Sequence, residues 1–296
     1  MRATIANMAE HKQHILYQQD FPPLLREISD PPEKLYILGT LPDPSVYTYL
    51  AVVGSRKFTP YGKQACEYLL SGLRGHPIVI VSGLALGMDA IAHTAALDAD
   101  LTTIAIPGSG LDQKVLYPST NHGLARAILA HSGALLSPFE PTFRATPYSF
   151  PERNRIMAGI SRAVLVVEAE ERSGTLITSR LATEYNRDVL TVPGSIFSST
   201  SRGPHMLIRL GATPITTPAE LLDALGFTDQ NKQALDLSSL SHEEKSILEL
   251  LVMPHTRDEL LEKLSLPAQE LNSMLTVMEI KGLITEQYGN IRSVTT

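Results

Sequence analysis

The stretch IVIVSGLALGMDAIAH, residues 78–93, decides the fold. An apolar, β-branched run ends at a turn with two glycines, Gly83 and Gly87, and a helical pattern follows. This order predicts a buried strand whose carboxyl end leads into the first turn of a helix. Such a turn offers free backbone N–H groups and the positive end of the helix dipole, so it is a candidate phosphate site. The alternative is a purely structural turn, with Asp89 as a cap.

Four more apolar runs follow the same pattern: YLAVVG (49–54), TTIAIPG (102–108), AVLVVEA (163–169) and DVLTVPG (188–194). Two shorter runs, 133–137 and 213–216, are candidate additional strands. The intervening patterns predict helices over 60–74, 87–98, 119–132, 152–160, 174–186 and 203–210. Continuous apolar strands that alternate with helices predict an α/β fold whose parallel sheet is covered on both faces. Function is therefore expected at the carboxyl edge of this sheet, where the glycine turns meet.

Composition excludes several classes of protein. The chain has 296 residues, 43% of them hydrophobic, a net charge of −6 and a single cysteine, Cys66. These features are typical of a globular protein of a reducing compartment and exclude an internal disulfide framework or a cysteine-based zinc site. The histidines are scattered, so we expect no metal and no cofactor. No secretion signal or membrane-spanning run is recognisable, which favours a cytoplasmic location without membrane contact.

The C-terminal part follows a different pattern. After the polar segment FTDQNKQALDLSS, three short helical patterns precede two strand patterns around Gly289 and Asn290, as in a winged helix. The predicted domains are an N-terminal extension (1–30), the main α/β domain (31–226), a linker (227–240) and a winged-helix-like domain (241–296).

The winged-helix pattern is unusually acidic for a reader of duplex DNA. Residues 232–296 hold six Lys or Arg against ten Asp or Glu, a net charge of −4. The third helix, which would enter the groove, carries Glu270 and Glu279. A duplex reader needs a basic face. This domain is therefore interpreted as a protein-contact module, or as a DNA binder that has lost its charge.

Cationic and aromatic side chains alternate in PTFRATPYSFPERNRIMAGISR, residues 141–162. Arginine side chains bind phosphates and stack on bases, and aromatic rings offer platforms for unpaired bases. The pattern therefore favours contact with a single nucleic-acid strand. The alternative is a solvated loop whose aromatic residues pack into the core. Arg56, directly after the first of the five strands, and the SGT turn at 173–175, with Arg172 beside it, would add phosphate contacts at the same edge.

An enzymatic interpretation is also possible. The acidic run EAEER (168–172) could supply an acid and a base for cleavage of a glycosidic bond, but solvated acids at a strand end are the favoured explanation. Asp89 and His93 lie on one helical face, where a capping aspartate and a surface histidine explain them. Neither a dinucleotide fingerprint nor a P-loop is present, and Ser109 lacks a nucleophile elbow.

Taken together, seven blocks resemble the DprA/Smf family, the DNA-processing proteins of bacterial natural transformation. The blocks are FPPLLREISDPPEKLYILGTL (21–41), VGSR (53–56), SGLALGMDAIAH (82–93), GLDQKVLYPSTN (110–121), FPERNRIMAGIS (150–161), VVEAEERSGTLITS (166–179), and VPG with SRGPHMLIRLGA within 192–212. Their order spans most of residues 21–226.

The resemblance implies an extended Rossmann-like parallel-sheet domain, often followed by a winged helix, that binds single-stranded DNA at the edge of the sheet. It also implies a non-catalytic recombination mediator that forms a homodimer, protects incoming single strands and loads the RecA recombinase on them. Single-strand-binding protein is a further candidate partner.

By motif, and from the turns described above, a set of residues is predicted to bind single-stranded DNA or its phosphates. The predicted set is Gly54, Ser55, Arg56, Ser82, Gly83, Gly87, Lys114, Arg144, Phe150, Arg153, Asn154, Arg155, Ser173, Gly174 and Thr175. Two positions depart from the family pattern: Met88 stands where isoleucine is usual, and His205 stands where asparagine is usual. The change at His205 leaves open whether this position has the polar role of the asparagine.

The alternative function is a nucleoside-monophosphate phosphoribohydrolase of related fold. That class uses a P-G-G-x-G-T-x-x-E turn, and the nearest match here, RSGTLIT, has Thr178 where the glutamate would fall. A transcription factor is the third interpretation, and the acidic face of the winged helix counts against it.

Overall fold

A computed structural model describes residues 12–227, 240–251, 253–264, 266–280, 283–287 and 289–293. The chain forms two compact units, Met1–Thr228 and Asp229–Thr296. Residues 1–11 of the predicted N-terminal extension, and residues 228–239 of the predicted linker, lie outside the described residues.

The described part of the first unit is built on a nine-stranded sheet. Its strands are β1 (His14–Tyr17), β2 (Lys34–Gly39), β3 (Thr48–Val53), β4 (Ile78–Ser82), β5 (Thr102–Ala105), β6 (Ala134–Ser137), β7 (Ala163–Val166), β8 (Asp188–Thr191) and β9 (Thr213–Pro214). The spatial order is β1-β2-β6-β5-β4-β3-β7-β8-β9, and every pair from β6 to β9 is parallel. This confirms the predicted α/β fold with an extended parallel sheet.

Two strands at one end of the sheet were not predicted. β1 pairs antiparallel with β2, and β2 pairs antiparallel with β6. β1 is an edge strand of four residues, three of them exposed, and its apolar run of three residues is too short to mark a buried strand. These strands extend the sheet on the side remote from β7, β8 and β9.

Eight helices of the described part of this unit cover the sheet. They are α1 (Pro23–Arg26), α2 (Pro60–Ser71), α3 (Met88–Asp98), α4 (His122–Ala130), α5 (Ser149–Ile160), α6 (Thr175–Glu184), α7 (Arg202–Arg209) and α8 (Pro218–Ala224). Alternate residues of β3 enter different cores: Ala51 and Val53 pack with Met157 of α5, whereas Leu50 and Val52 pack with residues of α2, α3 and α8. Burial on both faces explains why the strand reads as a continuous apolar run.

The described part of the second unit contains three helices and a hairpin. These are α9 (His242–Leu250), α10 (Arg257–Leu264), α11 (Ala268–Ile280), β10 (Ile284–Gln287) and β11 (Asn290–Ser293). The two strands pair antiparallel, and the side chains of Ser241 and Glu244 form a capping box at the start of α9. Leu271, Leu275 and Met278 of α11 are buried in its core. The order of elements is that of a winged helix.

No described helix in either unit combines the length and apolarity that crossing a membrane requires.

Candidate nucleic-acid interface

A cavity of about 390 Å³ lies at the carboxyl edge of the sheet, where β3 and β4 end. Its wall is formed by the loop after β3, the turn before α3, the first turns of α5 and the segment that leads into α6. The lining residues are Val53, Gly54, Ser55, Arg56, Lys57, Ala85, Asp89, Phe150, Arg153, Asn154, Met157, Glu170, Arg172, Ser173, Gly174, Thr175 and Thr178.

Arg56 is the exposed cation of this wall that lies against an aromatic ring. Its guanidinium carbon is 5.0 Å from the centroid of Phe150, and the Phe150 ring contacts Tyr117 at 6.1 Å between centroids. Arg56 forms no ion pair with any other described residue, so its donors are available to an anion. A free guanidinium next to a ring can hold a phosphate while an adjacent base stacks.

The loop that carries Arg56 is held tightly by its neighbours. The backbone N–H of Ser55 donates to the carbonyl of Glu168 at 2.7 Å, and the carbonyl of Ser55 accepts from the N–H of Met88 at 3.1 Å. Gly87 has a φ of +80°, and a Cβ there would lie 2.5 Å from the carbonyl oxygen of Arg56. Only glycine allows this approach, and it places the glycine turn directly against the arginine loop.

The start of α6 forms the opposite wall. The hydroxyl of Thr175 donates to the carbonyl of Gly54 at 3.1 Å, which ties the helix start to the loop after β3. The hydroxyl of Ser173 accepts from the N–H of Thr175 at 3.1 Å. Arg172 is exposed beside them. The positive end of the α6 dipole and the Arg172 side chain therefore contribute to a site suited to an anion.

Arg153 and Asn154 line the cavity but are almost completely buried, at 4% and 8% exposed. The Arg153 guanidinium donates to the carbonyls of Gly83 and Ile106 and to the side-chain oxygen of Asn154, and it lies 3.9 Å from the carboxylate of Asp89. Burial raises the pKa of the Asp89 carboxyl, and the charge of Arg153 opposes that rise. Arg153 joins the ends of β4 and β5, so the structure places it in the floor of the cavity.

The three residues predicted from the glycine turn do not line this cavity. Ser82 is fully buried and its hydroxyl donates to the carbonyl of Val52 at 2.6 Å. A Cβ at Gly83 would lie 1.7 Å from the Arg153 guanidinium, and Gly87 packs on the arginine loop. The turn reaches this cavity through Ala85 and Asp89, and contact of Gly83 and Gly87 with DNA stays a prediction.

Three predicted cations also lie outside the cavity wall. The side chain of Arg155 does not line the cavity. It forms ion pairs with Asp30 and with Glu152, the latter at 3.2 Å. Lys114 and Arg144 are exposed on loops after β5 and β6. Conversely, Lys57 and Arg172 line the cavity; Lys57 was not predicted, and Arg172 was noted beside the SGT turn but is not in the predicted set. Their positions next to Arg56 and Ser173 were the available sequence signal.

Glu168 is not the solvated acid that its place at a strand end predicts. It is 2% exposed. One carboxylate oxygen accepts from the hydroxyls of Thr59 and Thr200 at 2.6 and 2.8 Å, and the other accepts from the N–H of Thr59 at 2.9 Å. The carboxylate therefore fixes the end of the arginine loop at the start of α2.

His93 is also not at the surface, as predicted, but completely buried. Its Nδ1 lies 2.7 Å from the hydroxyl of Thr103, which itself donates to the carbonyl of Ile80. Burial lowers the pKa of His93 to about 3, so the ring is neutral near pH 7. No group of three or more His, Cys, Asp or Glu that could hold a metal occurs among the described residues.

His205, whose polar role was left open, lies at a second cavity. Its Nε2 is 3.0 Å from the carbonyl of Gly194, and it lines a cavity of about 200 Å³ with Glu171, Arg202, Met206 and Arg209.

The winged-helix unit presents a different surface. The guanidinium of Arg257 binds the carboxylate of Glu286 and donates to the side-chain oxygen of Asn272 at 2.6 Å. Glu270 and Glu279 are exposed on α11. The helix that would enter a DNA groove is therefore acidic, and the nearby arginine is already paired.

Comparison with known proteins gives consistent matches. Residues 12–226 match the family model of DNA recombination-mediator protein A, and residues 231–290 match that of the DprA winged helix domain. Protein Smf of Escherichia coli strain K12 is 40% identical over 222 residues, which are 74% of this chain and 58% of that protein. The chain thus spans less than two thirds of this relative.

Two solved structures are similar to the chain. The X-ray structure of DNA processing protein A from Streptococcus pneumoniae has a TM-score of 0.66 at 39% identity, and the match covers 72% of this chain and 74% of that one. DNA processing protein A from Helicobacter pylori has a TM-score of 0.65 at 32% identity, with 72% and 95% covered. The latter structure was described for its single-stranded DNA binding mode.

Proposed function

Because the chain belongs to the DNA recombination-mediator protein A family, also called DprA/Smf, we propose that it binds single-stranded DNA in the cavity at the carboxyl edge of its main sheet. The observation that carries the proposal is the unpaired guanidinium of Arg56 beside the ring of Phe150. Lys57, Arg172 and the start of α6 add positive potential around the same cavity. The Helicobacter pylori relative, described as binding single-stranded DNA, supports this assignment.

The chemistry of the wall favours a single strand over a duplex. The Phe150 ring can stack only on a base that is not already paired, whereas cations and a helix N-terminus bind phosphates of any sequence. We therefore expect binding that is nearly independent of sequence.

Fluorescence anisotropy with a labelled oligo-dT and a matched duplex, across a series of salt concentrations, tests this proposal. Single strands should bind more tightly, and the logarithm of the affinity should fall linearly with that of the salt concentration, by about 0.7 per neutralised phosphate. Equal affinity for the duplex, or an affinity that does not change with salt, would contradict the proposal.

We propose further that the bound strand is protected and passed to RecA, that single-strand-binding protein is a second partner, and that the protein forms a homodimer. Phe197 and Ile196, shortly before α7, and Leu210, directly after it, are 93%, 78% and 75% exposed, and we propose that these apolar side chains take part in self-association. Sedimentation of wild type and of Leu210→Asp tests the dimer.

The loading role is tested by the rate of RecA assembly on strands coated with single-strand-binding protein. We expect this rate to rise when the protein is added.

We favour a binding role over the alternative, a phosphoribohydrolase. The carboxylate of Glu168 already accepts three hydrogen bonds from the protein, and Thr178 lines the cavity where that enzyme class has a glutamate. Glu170 is an exposed carboxylate of the wall. Incubation with a panel of nucleoside monophosphates separates the two functions. Release of free base that is lost in Glu168→Gln or Glu170→Gln would favour the enzyme.

A further inference from the structure

We propose that Lys57, Phe58 and Leu86 form an outer nucleotide subsite at the rim of the cavity, which binds the nucleotide of a single strand next to those inside. This inference rests on the proposed function, because it concerns the path of the same strand. It assigns the base to the two apolar side chains and the phosphate to Lys57.

Two loops meet at this part of the rim. Lys57 and Ala85 both line the cavity, and Phe58 and Leu86 are the residues that follow them in the chain. The loops are joined by the hydrogen bond from the N–H of Met88 to the carbonyl of Ser55 and by the close packing of Gly87 on the backbone of Arg56. A strand that leaves the cavity on this side would therefore pass both loops.

Both apolar side chains face solvent. Phe58 is 44% exposed and Leu86 is 47% exposed, although each follows a residue of the cavity wall. Arg56 and Lys57 are exposed beside them, and neither forms an ion pair with a described residue. Apolar surface next to unpaired cations matches a nucleotide, whose base is flat and apolar and whose phosphate is negative. The same surface would repel the cationic segment of a protein partner.

The backbone of Phe58 is held on both sides. Before it, the hydroxyl of Ser55 accepts from the N–H of Lys57 at 3.0 Å and donates to the carbonyl of Lys57 at 2.8 Å. After it, the N–H of Thr59 donates to the buried carboxylate of Glu168. The loop is thus ordered before DNA arrives, so binding loses little conformational entropy there.

A series of labelled oligo-dT of increasing length tests the subsite by anisotropy. Phe58→Ala should bind the shortest oligomers as wild type does, which also shows that the variant is folded. Once the oligomer is long enough to reach the rim, the variant should bind about tenfold more weakly, which corresponds to about 1.4 kcal/mol. Phe58→Trp, which keeps an aromatic ring at this position, should bind long oligomers as tightly as wild type does.

Tyr68→Ala is the matched control. Tyr68 is an exposed aromatic residue of α2, 50% exposed, but it lies outside the cavity wall, so its removal should change no affinity. Lys57→Ala should reduce the salt dependence for long oligomers by about 0.7, one phosphate on a single strand. A loss in Phe58→Ala that is equal at all lengths, or absent at all lengths, would overturn the subsite alone. Wild-type protein that binds no oligomer would overturn the proposed function and the subsite together.

Discussion

Arg56, which is exposed, and Arg257, which is half-buried, are two arginines with opposite environments, one in each unit of the chain. Arg56 lies against the ring of Phe150 and pairs with no described carboxylate. Arg257 binds Glu286 and Asn272, and the carboxylate of Glu286 raises its pKa further. A phosphate would meet free donors at the first arginine and would have to displace a carboxylate at the second.

The comparison shows that motif content alone does not locate nucleic-acid binding. The winged helix is a well-known DNA-binding architecture, yet its third helix exposes Glu270 and Glu279 here. The sheet edge belongs to a chain of net charge −6, yet it gathers unpaired cations around one cavity. Local pairing of charges, rather than the net charge, is therefore our reason for proposing single-strand binding in the first unit.

The largest effect is expected from removal of Arg56 and Phe150 together. Arg56→Ala with Phe150→Ala removes a phosphate contact and a stacking surface, so the affinity for oligo-dT should fall about 100-fold at low salt. Arg162→Ala is the control, because Arg162 is an exposed arginine directly before β7, at the opposite edge of the sheet. Anisotropy measures both. Similar losses in the two proteins would mean that general charge, rather than the cavity, binds DNA.

A smaller effect is expected at Glu168. Glu168→Ala removes the acceptor that holds the arginine loop, so binding should weaken about tenfold. Glu168→Gln should recover most of the affinity, because the two threonine hydroxyls can reorient toward the amide.

Thr191→Val is the control for a general loss of stability, since it removes another buried hydroxyl, bonded to the carbonyl of Val166, away from the cavity. Its affinity should equal that of wild type. If Glu168 acts through Arg56, the alanine substitution should cost little more in an Arg56→Ala background. A full additional tenfold loss there would contradict the positioning role.

A pH dependence of stability is expected from buried His93, with half-buried His255 of the winged helix as the position of a control substitution. Burial lowers the pKa of His93 from 6.5 to about 3, so below pH 6.5 the unfolded chain binds the proton that the folded chain excludes. Stability from this group is present above pH 6.5 and is lost as the pH falls toward 3, at up to about 1.4 kcal/mol per pH unit.

Urea unfolding of wild type, His93→Gln and His255→Gln between pH 7 and pH 4, a range of about three units, measures this slope. His93→Gln should flatten the pH dependence of the free energy of unfolding. An equal slope in wild type and His93→Gln would show that the histidine titrates normally.

The smallest effect is expected from deletion of residues 232–296. Without the acidic unit, affinity for oligo-dT should stay within about twofold of wild type, since residues 232–296 carry a net charge of −4 and repel phosphates overall. A collapse of binding in the titration would show that the winged helix carries the site.

The strands and the meeting of their loops could be predicted from the sequence. Continuous apolar runs mark strands buried on both faces, and the carboxyl ends of parallel strands share one edge, so Arg56, Phe150 and Thr175 were expected near one another. The structure does place all three in the wall of one cavity.

The burial of individual polar residues could not be predicted. Glu168 binds Thr59, 109 positions away, and Arg153 binds the carbonyl of Gly83, 70 positions away. Neither partner carries a local pattern that points to the other, so the sequence could not show that the carboxylate of Glu168 is buried or that Arg153 lies in the floor of the cavity. The edge strand β1 was missed because its apolar run, Ile15 to Tyr17, is only three residues long.

Charge reversal at the two arginines tests the central claim most directly. Arg56→Glu and Arg257→Glu make the same chemical change in the full chain, and anisotropy with one oligo-dT at one low salt concentration compares them. We predict a loss of about 100-fold for Arg56→Glu and a change within about twofold for Arg257→Glu. A large loss at Arg257 with little change at Arg56 would contradict the assignment of single-strand binding to the sheet edge.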